Sequence, residues 1–427
     1  MAKTKFQRPT GMPDILPEGQ KYFQKIYLAA EQLFSFYGLK RIDTPLLEDT
    51  ALYEKGTGLS TDIVQKQMFS LKTRGGDLLT LRPEFTPGLV RAYLEHGLQV
   101  LPQPVKLYSF GPVFRYEHPQ AGRFRQFNQL DLEMIGDGDA VLDAQTIQIF
   151  YNLLKELKFK KLIVEINSIG DNQCRPYYKK LLTSYFRSRE AALCPDCRRR
   201  LKDNPLRVLD CKEEKCRREV SQAPQIIDHL CEECHKHFKS VLEFLDEIEL
   251  PYRLNPYLVR GLDYYTKTVF EIFEDTDEGR SVGTLAAGGR YDGLVKLLGG
   301  EDTKAVGGAL GVERVVALLK ERGLEGHKEG GQAQVFLAQL GGMAKRKTLK
   351  LLEDFRQVKV RAAESLSKDS LKSQLKAADK LGARYTLLLG QREALEGTII
   401  VRDMQNGRQE TVKLDKVVKE VQKKLKK

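Results

Sequence analysis

The sequence predicts an α+β body built on an antiparallel sheet, followed by a small α/β module. Three observations carry this reading. Short alternating segments separated by turn residues fill the stretch from Met68 to Ile135, among them "QMFSLKTRGGDLLTLRPEFT", "PVKLYSFGPVFRYE" and "GRFRQFNQLDLEMIG"; such spacing favours antiparallel pairing over βαβ winding. Beyond "EGHKEGGQ", Glu325 to Gln332, strand-like and helix-like segments alternate, the pattern of a small α/β domain. The charge changes at the same place: Gly331 to Lys427 holds 22 Lys+Arg against 11 Asp+Glu, about +11 of a formal +12. A chain of 427 residues also exceeds what one compact core accommodates, so two or three domains are expected.

Taken in order, apolar residues recur at Phe23, Ile26, Tyr27, Ala30, Leu33, Phe34 and Tyr37, the spacing of an amphipathic helix over Glu18 to Tyr37, with Gly38 placed to end it. "LKRIDTPLLED" reads as a strand whose Pro45 cannot donate to a ladder, which puts it at a sheet edge or an interface. The antiparallel segments follow, then a helix near Asp139 to Leu157 and a strand "KKLIVEINSIG". Arg187 to Phe238 is rich in Cys, Arg and Lys and reads as an insertion. Apolar strands return in "YLVRGLDYYTKTVFEIF", "SVGTLAAGGRYDGLVKLLGG" and "AVGGALGVERVVALLKERG". In the last hundred residues "QVFLAQL", a helix near Met343 to Arg356, "VKVRAA", a helix at Lys368 to Leu381 and "YTLLLG" alternate. A hairpin turns at Asn406-Gly407 and a helix begins near Asp415.

With 41% hydrophobic and 30% charged residues the composition is that of a globular protein. The N-terminal residues show no apolar core of a signal peptide and no stretch is long enough for a membrane helix, so a cytoplasmic protein with no membrane partner is expected. A basic terminal module on a nearly neutral body suits a polyanion held by phosphate contacts; a Lys-rich tail that aids solubility is the other reading. Six of the seven cysteines fall between Cys194 and Cys234, a cluster rather than a disulfide scaffold.

The run "FRYEHPQAGRFRQFNQLDLE" concentrates the candidate chemistry. Alternation puts Arg125, Phe127, Gln129, Asp131 and Glu133 on one face and Leu130, Leu132 and Met134 on the other. Arg115 and Glu117 precede the turn "HPQAG" and Arg123 follows it, so guanidinium groups from both arms can converge on an anion; a solvated face laced with ion pairs is the plainer account. In "LRPEFTPG", Glu84 and Thr86 stand two apart, a carboxylate and a hydroxyl able to hold an ammonium group. "LVRGLDYYTKTVFEI" joins Arg260 to Tyr264 and Tyr265, a cation and phenols beside an apolar wall. In "AVGGALGVERVV", Gly307 and Gly308 allow close approach to the backbone ahead of a helix carrying Arg314. No G-x-x-x-x-G-K-[ST] loop and no G-x-G-x-x-G turn is present, so a nucleotide would be held by arginines on the sheet.

In this order, "GMPDILP", the arginine hairpin, "LVRGLDYY" and "GVERVV" closely resemble the histidyl-tRNA synthetases of the class II aminoacyl-tRNA synthetase family, bacterial type, over nearly the full length. The resemblance implies a six-stranded antiparallel sheet flanked by helices in a catalytic domain over 1–325, containing an insertion at 172–250, a linker at 326–332 and an α/β anticodon-binding domain at 333–427. It implies a homodimer formed through the first long helix and the Pro45 strand, and substrates ATP with Mg²⁺, L-histidine and tRNA(His). Residue by residue, Glu84, Thr86 and Gln129 would hold the α-amino group, Glu133 and Tyr265 the imidazole, and Tyr264 the pocket wall. Arg115 would grip the α-phosphate, Phe127 would stack on adenine, and Arg123 and Arg314 would bind the γ-phosphate, with Glu117 also at the ATP site. Arg260, with Arg115 and Gln129, would be catalytic, Arg260 acting where charge accumulates on carboxylate and α-phosphate. His118 stands in the turn where the family often has arginine, an expected adjustment to contact with the tRNA acceptor end.

Cys194, Cys197, Cys231 and Cys234 form two Cys-x-x-Cys pairs, with Cys211 and Cys216 between them. Two readings stand: a structural zinc on the two pairs, or reduced thiols without metal. The neighbouring Arg198 to Arg200, Arg217 and Arg218 suit a clamp on the tRNA acceptor arm as well as a solvated basic surface. The alternative function is a catalytically silent, histidine-binding regulatory paralogue of a histidine-biosynthesis enzyme. Such a paralogue typically lacks the C-terminal module and the phosphate-binding arginines, whereas this chain keeps Arg115, Arg123, Arg260 and Arg314.

Overall fold

A computed structural model describes residues 6–117, 123–275, 283–327 and 333–426. His118 and its turn, and residues 328–332 of the expected linker, lie outside the described residues. The chain divides into two compact units, Met1–His327 and Lys328–Lys427.

In the first unit the strands are β1 (Lys40–Arg41), β2 (Leu47–Asp49), β3 (Phe69–Lys72), β4 (Leu78–Leu81), β5 (Val105–Phe114), β6 (Gln126–Ile135), β7 (Leu162–Ser168), β8 (Tyr252–Leu254), β9 (Thr266–Glu274), β10 (Ala286–Arg290) and β11 (Ala305–Gly311). The main sheet has the order β1-β5-β6-β11-β10-β9-β7-β8. The expected six antiparallel strands are therefore a correction: β5 through β7 in that order pair antiparallel, but β1 and β8 add short parallel edges, giving an eight-stranded mixed sheet. β2, β4 and β3 form a separate three-stranded sheet. "LKRIDTPLLED" is likewise two strands, not one. Pro45 lies between them and the chain leaves the main sheet there, as a residue without an N–H requires.

One face of the main sheet is the core. Leu130, Leu132 and Met134 of β6 pack with Ile147, Phe150 and Leu154 of the helix Ala140–Glu156 and with Ile26, Ala30 and Phe34 of the helix Pro17–Phe36. The i, i+4, i+8 spacing of the last three places them on one stripe; each large one stabilises by roughly 1.5–3 kcal/mol on full burial. Pro17 opens the first helix, where a missing N–H costs nothing. Gly38, at φ +78°, follows its end. Asp139 caps the second helix, accepting from the Val141 N–H at 2.9 Å.

Between β7 and β8 the insertion folds as helices Arg175–Arg187, Pro195–Asp203, Glu214–Val220 and Glu232–Glu247. Tyr178, Leu182, Phe186, Leu201 and Val208 are buried within it. Its last helix sends Phe238, Val241 and Leu245 into the core of the sheet.

A fully buried arginine ties these layers. Arg290, at the end of β10, donates through Nε to Asp143 at 3.0 Å, through Nη1 to the Asp137 carbonyl and Asp292 at 3.2 Å, and through Nη2 to the Asp139 carbonyl at 3.0 Å. His237 of the last insertion helix meets the same Asp143 carboxylate at 3.2 Å. Burial would raise the Asp143 pKa, but Arg290 and His237 outweigh it and hold it at about 2.

The second unit contains β12 (Val335–Gln339), β13 (Ala362–Glu364), β14 (Tyr385–Leu389), β15 (Thr398–Asp403) and β16 (Gln409–Lys413) in the order β13-β12-β14-β15-β16. The first three are parallel and β15 and β16 antiparallel. Helices Gly342–Gln357 and Val417–Leu425 cover it with Leu351, Phe355, Val417 and Val421, closing a core of its own.

Candidate active site

The opposite face of the main sheet is the floor of a cavity of about 410 Å³, within the range of small-ligand sites. Its wall includes Glu84, Thr86, Arg115, Glu117, Arg123, Phe127, Gln129, Arg260, Tyr264, Tyr265 and Arg314. Every residue that the resemblance implies for histidine or ATP is there except Glu133, which lies one layer down.

Local structure explains the convergence. β5 and β6 pair Gly111 with Gln129 and Leu107 with Glu133, so the polar face of β6 is set by its pleat. Glu84 and Thr86 reach the cavity by another route than the expected strand: β4 ends at Leu81 and Thr86 opens the helix Thr86–Glu95. Arg260, Tyr264 and Tyr265 also precede their strand, in the irregular segment before β9. Arg125, expected on the equipped face, stacks on Tyr116 at 3.8 Å instead and is not part of the cavity wall.

Three buried carboxyl groups make up the floor, Glu84 and Asp131 lining it and Glu133 just beneath. Glu84 accepts from Thr57 Oγ1 at 2.6 Å and from the Tyr264 hydroxyl at 2.7 Å. Glu133 accepts from Thr86 Oγ1 at 2.6 Å and from the Tyr291 hydroxyl at 2.5 Å. Burial pushes Glu133 up to about 7, and the nearby Asp131 and Glu84 carboxyls bear on the same group. Asp131 is also raised well above the usual carboxylate range, by burial and then by Glu133. Burial pushes the Tyr265 phenol up to about 12. The floor thus offers acceptors and neutral hydroxyl donors in a buried setting, where each counts for more than in water.

The cations stand above. Arg260 pairs with Glu271, which also accepts from Thr284 Oγ1 at 2.6 Å. Arg115 donates from Nε to the Pro83 carbonyl at 2.9 Å and lies 5.5 Å from the Phe127 ring centre. Arg314 is held by the Thr284 carbonyl; burial, then the repulsion of Arg123, lowers its pKa. Two guanidinium groups that repel each other across a cavity favour an anion between them. Arg260 Nε, Gln129 Oε1 and Asp131 Oδ1 are buried without a hydrogen-bond partner, and buried polar atoms in folded proteins normally have one. All three residues line this cavity.

Gly308 lines the cavity, whereas Gly307 serves another purpose than the expected one. A Cβ on Gly307 would collide with the Glu133 carboxylate; the bare backbone makes room for the protein's own side chain. Gly308 would meet Phe150 on the core side.

Sequence reasoning missed Tyr291, Glu271 and Thr57. Glu271 had a signal, a lone carboxylate inside the apolar run "TVFEIF". Tyr291 and Thr57 had none, since their partners are remote in sequence.

The cysteines correct the zinc expectation. Cys194, Cys197, Cys211 and Cys216 bring their sulfurs within 4.8 Å of one another, and Asp171, Cys174, Cys231 and Cys234 form a second group on the same measure. The two Cys-x-x-Cys pairs do not share a site. The chain after Cys197 turns back through a helix and the turn Pro205–Val208 to deliver Cys211, whereas Cys231 receives its hydrogen-bond contact from the other end of the insertion, its N–H donating to Cys174 Sγ at 3.0 Å.

An antiparallel-centred sheet with an arginine-rich cavity on its open face, followed by a separate α/β unit, is the class II synthetase fold. The family model described as histidyl-tRNA synthetase matches residues 11–172 and 188–315, and an anticodon binding domain model matches 334–424. The chain belongs to the histidyl-tRNA synthetase family. It is 42% identical over 98% of its length to all of the histidine–tRNA ligase of Dehalococcoides mccartyi, and 44% identical to that of Pelotomaculum thermopropionicum, covering 98% of each chain. The crystal structure of apo histidyl-tRNA synthetase from S. aureus superposes with a TM-score of 0.79 at 35% identity, covering 97% of this chain and 99% of that one.

Proposed function

We propose that this chain is a histidine–tRNA ligase, joining ATP and L-histidine into histidyl-adenylate with release of pyrophosphate and then passing histidine to the 3′ end of tRNA(His). The observation that carries the reading is one cavity in which Arg115, Arg123, Arg260 and Arg314 surround a floor of buried carboxyls and phenols. Relatives named as ligases match across both units, which favours this reading over the silent regulatory paralogue.

Glu84, Thr86 and Gln129 receive the α-amino group. Glu133 and Tyr265 grade the imidazole, with Tyr264 packing beside it. A wrong side chain would strand this buried set of donors and acceptors, the condition under which polar recognition rejects analogues strongly. Arg115 and Arg260 face the α-phosphate and the carboxylate, Phe127 stacks on adenine with Glu117 beside it, and Arg123 and Arg314 take the γ-phosphate. Mg²⁺ enters with ATP as part of that substrate. Carboxylate attack on the α-phosphorus concentrates negative charge where Arg260 stands, held in advance by Glu271.

The C-terminal unit, with its excess of Lys and Arg, takes the anticodon arm. The protein works as a cytoplasmic homodimer through the helix Pro17–Phe36 and the Pro45 segment, where Phe36, Leu46 and Leu47 are exposed; among the described residues no helix is long and apolar enough to cross a membrane. Histidine-dependent pyrophosphate–ATP exchange tests the reading. Exchange with histidine alone among the amino acids is expected; histidine binding without exchange would assign the chain to the regulatory class.

A further inference from the structure

We propose that Cys194, Cys197, Cys211 and Cys216 hold a zinc ion that fixes one wall of the active-site cavity. Four thiolates around zinc at about 2.3 Å place neighbouring sulfurs about 3.8 Å apart. Here Cys194 Sγ and Cys211 Sγ are 3.9 Å apart, and all four sulfurs fall within 4.8 Å of one another. The separation is far too long for a disulfide, and all four cysteines are free. Cys197 and Cys216 are fully buried and Cys194 nearly so. Amide groups already point at the sulfurs: the Cys197 N–H donates to Cys194 Sγ at 3.4 Å and the Cys194 N–H to Cys216 Sγ at 3.2 Å. This all-sulfur, closed set suits zinc in a structural rather than a catalytic role.

The ion's function follows from what the chain does between its ligands. From Cys197 to Cys211 it forms the helix Pro195–Asp203 and the turn Pro205–Val208. Arg200 and Arg207 from these elements both pair with Asp62, at 2.8 and 3.2 Å. Asn204 donates to Asp263 Oδ1 at 3.1 Å, and Arg207 reaches the Arg260 carbonyl at 3.5 Å. Arg207, Asp210 and Lys212 line the same cavity as Arg260. A metal closing this loop removes its conformational freedom in advance. The segment then meets Arg260 and Asp62 already ordered, and the four cysteines act as positioning residues.

Metal analysis of the full-length protein after dialysis tests the site independently of any activity. Wild type is expected to carry zinc, with the Cys211→Ser/Cys216→Ser variant holding one equivalent less per chain. The Cys231→Ser/Cys234→Ser variant should keep zinc with an all-sulfur shell by X-ray absorption. Wild type without zinc, iron in its place, no difference in the first variant, or loss of all zinc from the second would each overturn the proposal. Against a variant that fails to fold, wild-type protein stripped with a mercurial and reloaded with Co²⁺ should show four-thiolate charge-transfer absorption; its absence would count the same way. For the positioning role, proteolysis within residues 198–212 should rise at least severalfold on stripping and be reversed by zinc. Unchanged cleavage would remove that role, whereas absent pyrophosphate exchange would bear on the ligase reading alone.

Discussion

Arg260 is the residue on which the proposed chemistry turns, and its environment says how it should fail. Glu271 holds one side of the guanidinium while Nε remains buried without a partner. Removing a preorganised donor of this kind slows the chemical step by on the order of 10²–10³-fold. Arg260→Ala should therefore depress pyrophosphate exchange by that amount, with histidine affinity by calorimetry largely kept. Glu133 carries a pH prediction. Its folded pKa, about 7, lies above the unfolded carboxyl value, so the folded state binds the proton more tightly. The stability this contributes is complete below about pH 4 and is lost as pH rises toward 7, about 1.4 kcal/mol for each unit of pKa difference. Denaturant titration of Glu133→Gln should show a shallower loss between pH 5 and 7.5 than wild type. The polar face of β6 was legible because alternation alone places Gln129, Asp131 and Glu133 together. What alternation could not supply was depth: Glu133 is saturated by Thr86 and Tyr291, groups from elements far off in the chain.

At the scale of elements, β11 makes the sharpest test. A methyl group at Gly307 would overlap the Glu133 carboxylate, whereas one at Gly311 meets nothing within 4 Å. Gly307→Ala should cost about 1–3 kcal/mol, as overpacked sites do, and Gly311→Ala less than about 0.5 kcal/mol, both read by chemical denaturation. The strands and long helices could be read from their periods. The segments bearing Glu84, Arg260, Tyr264 and Tyr265 could not, because they are irregular and only the tertiary fold sets their direction. The parallel edge strand β8 escaped for a related reason: three residues carry no period. Pairing of the cysteines also lay beyond spacing, since "C-x-x-C" names neighbours on one turn and says nothing of which other turn meets them.

For the whole molecule, the charge asymmetry and the two self-contained cores predict a division of labour. Deleting Lys328 to Lys427 should leave pyrophosphate exchange within about tenfold of wild type while tRNA charging falls much further, and charging by the full chain should weaken steeply with salt because phosphate contacts release counterions. Equal losses in both reactions would contradict that division. The Arg290 cluster belongs to this scale too, since it joins a strand, a helix and the insertion. Truncation of one partner of such a buried pair typically costs 3–5 kcal/mol, so Arg290→Ala should unfold at a much lower denaturant concentration than wild type. Through His237, the same carboxylate roots the insertion's closing helix in the bedrock of the sheet. The insertion's last helix therefore stands as a fixed mast, held from beneath at a point outside the cavity wall.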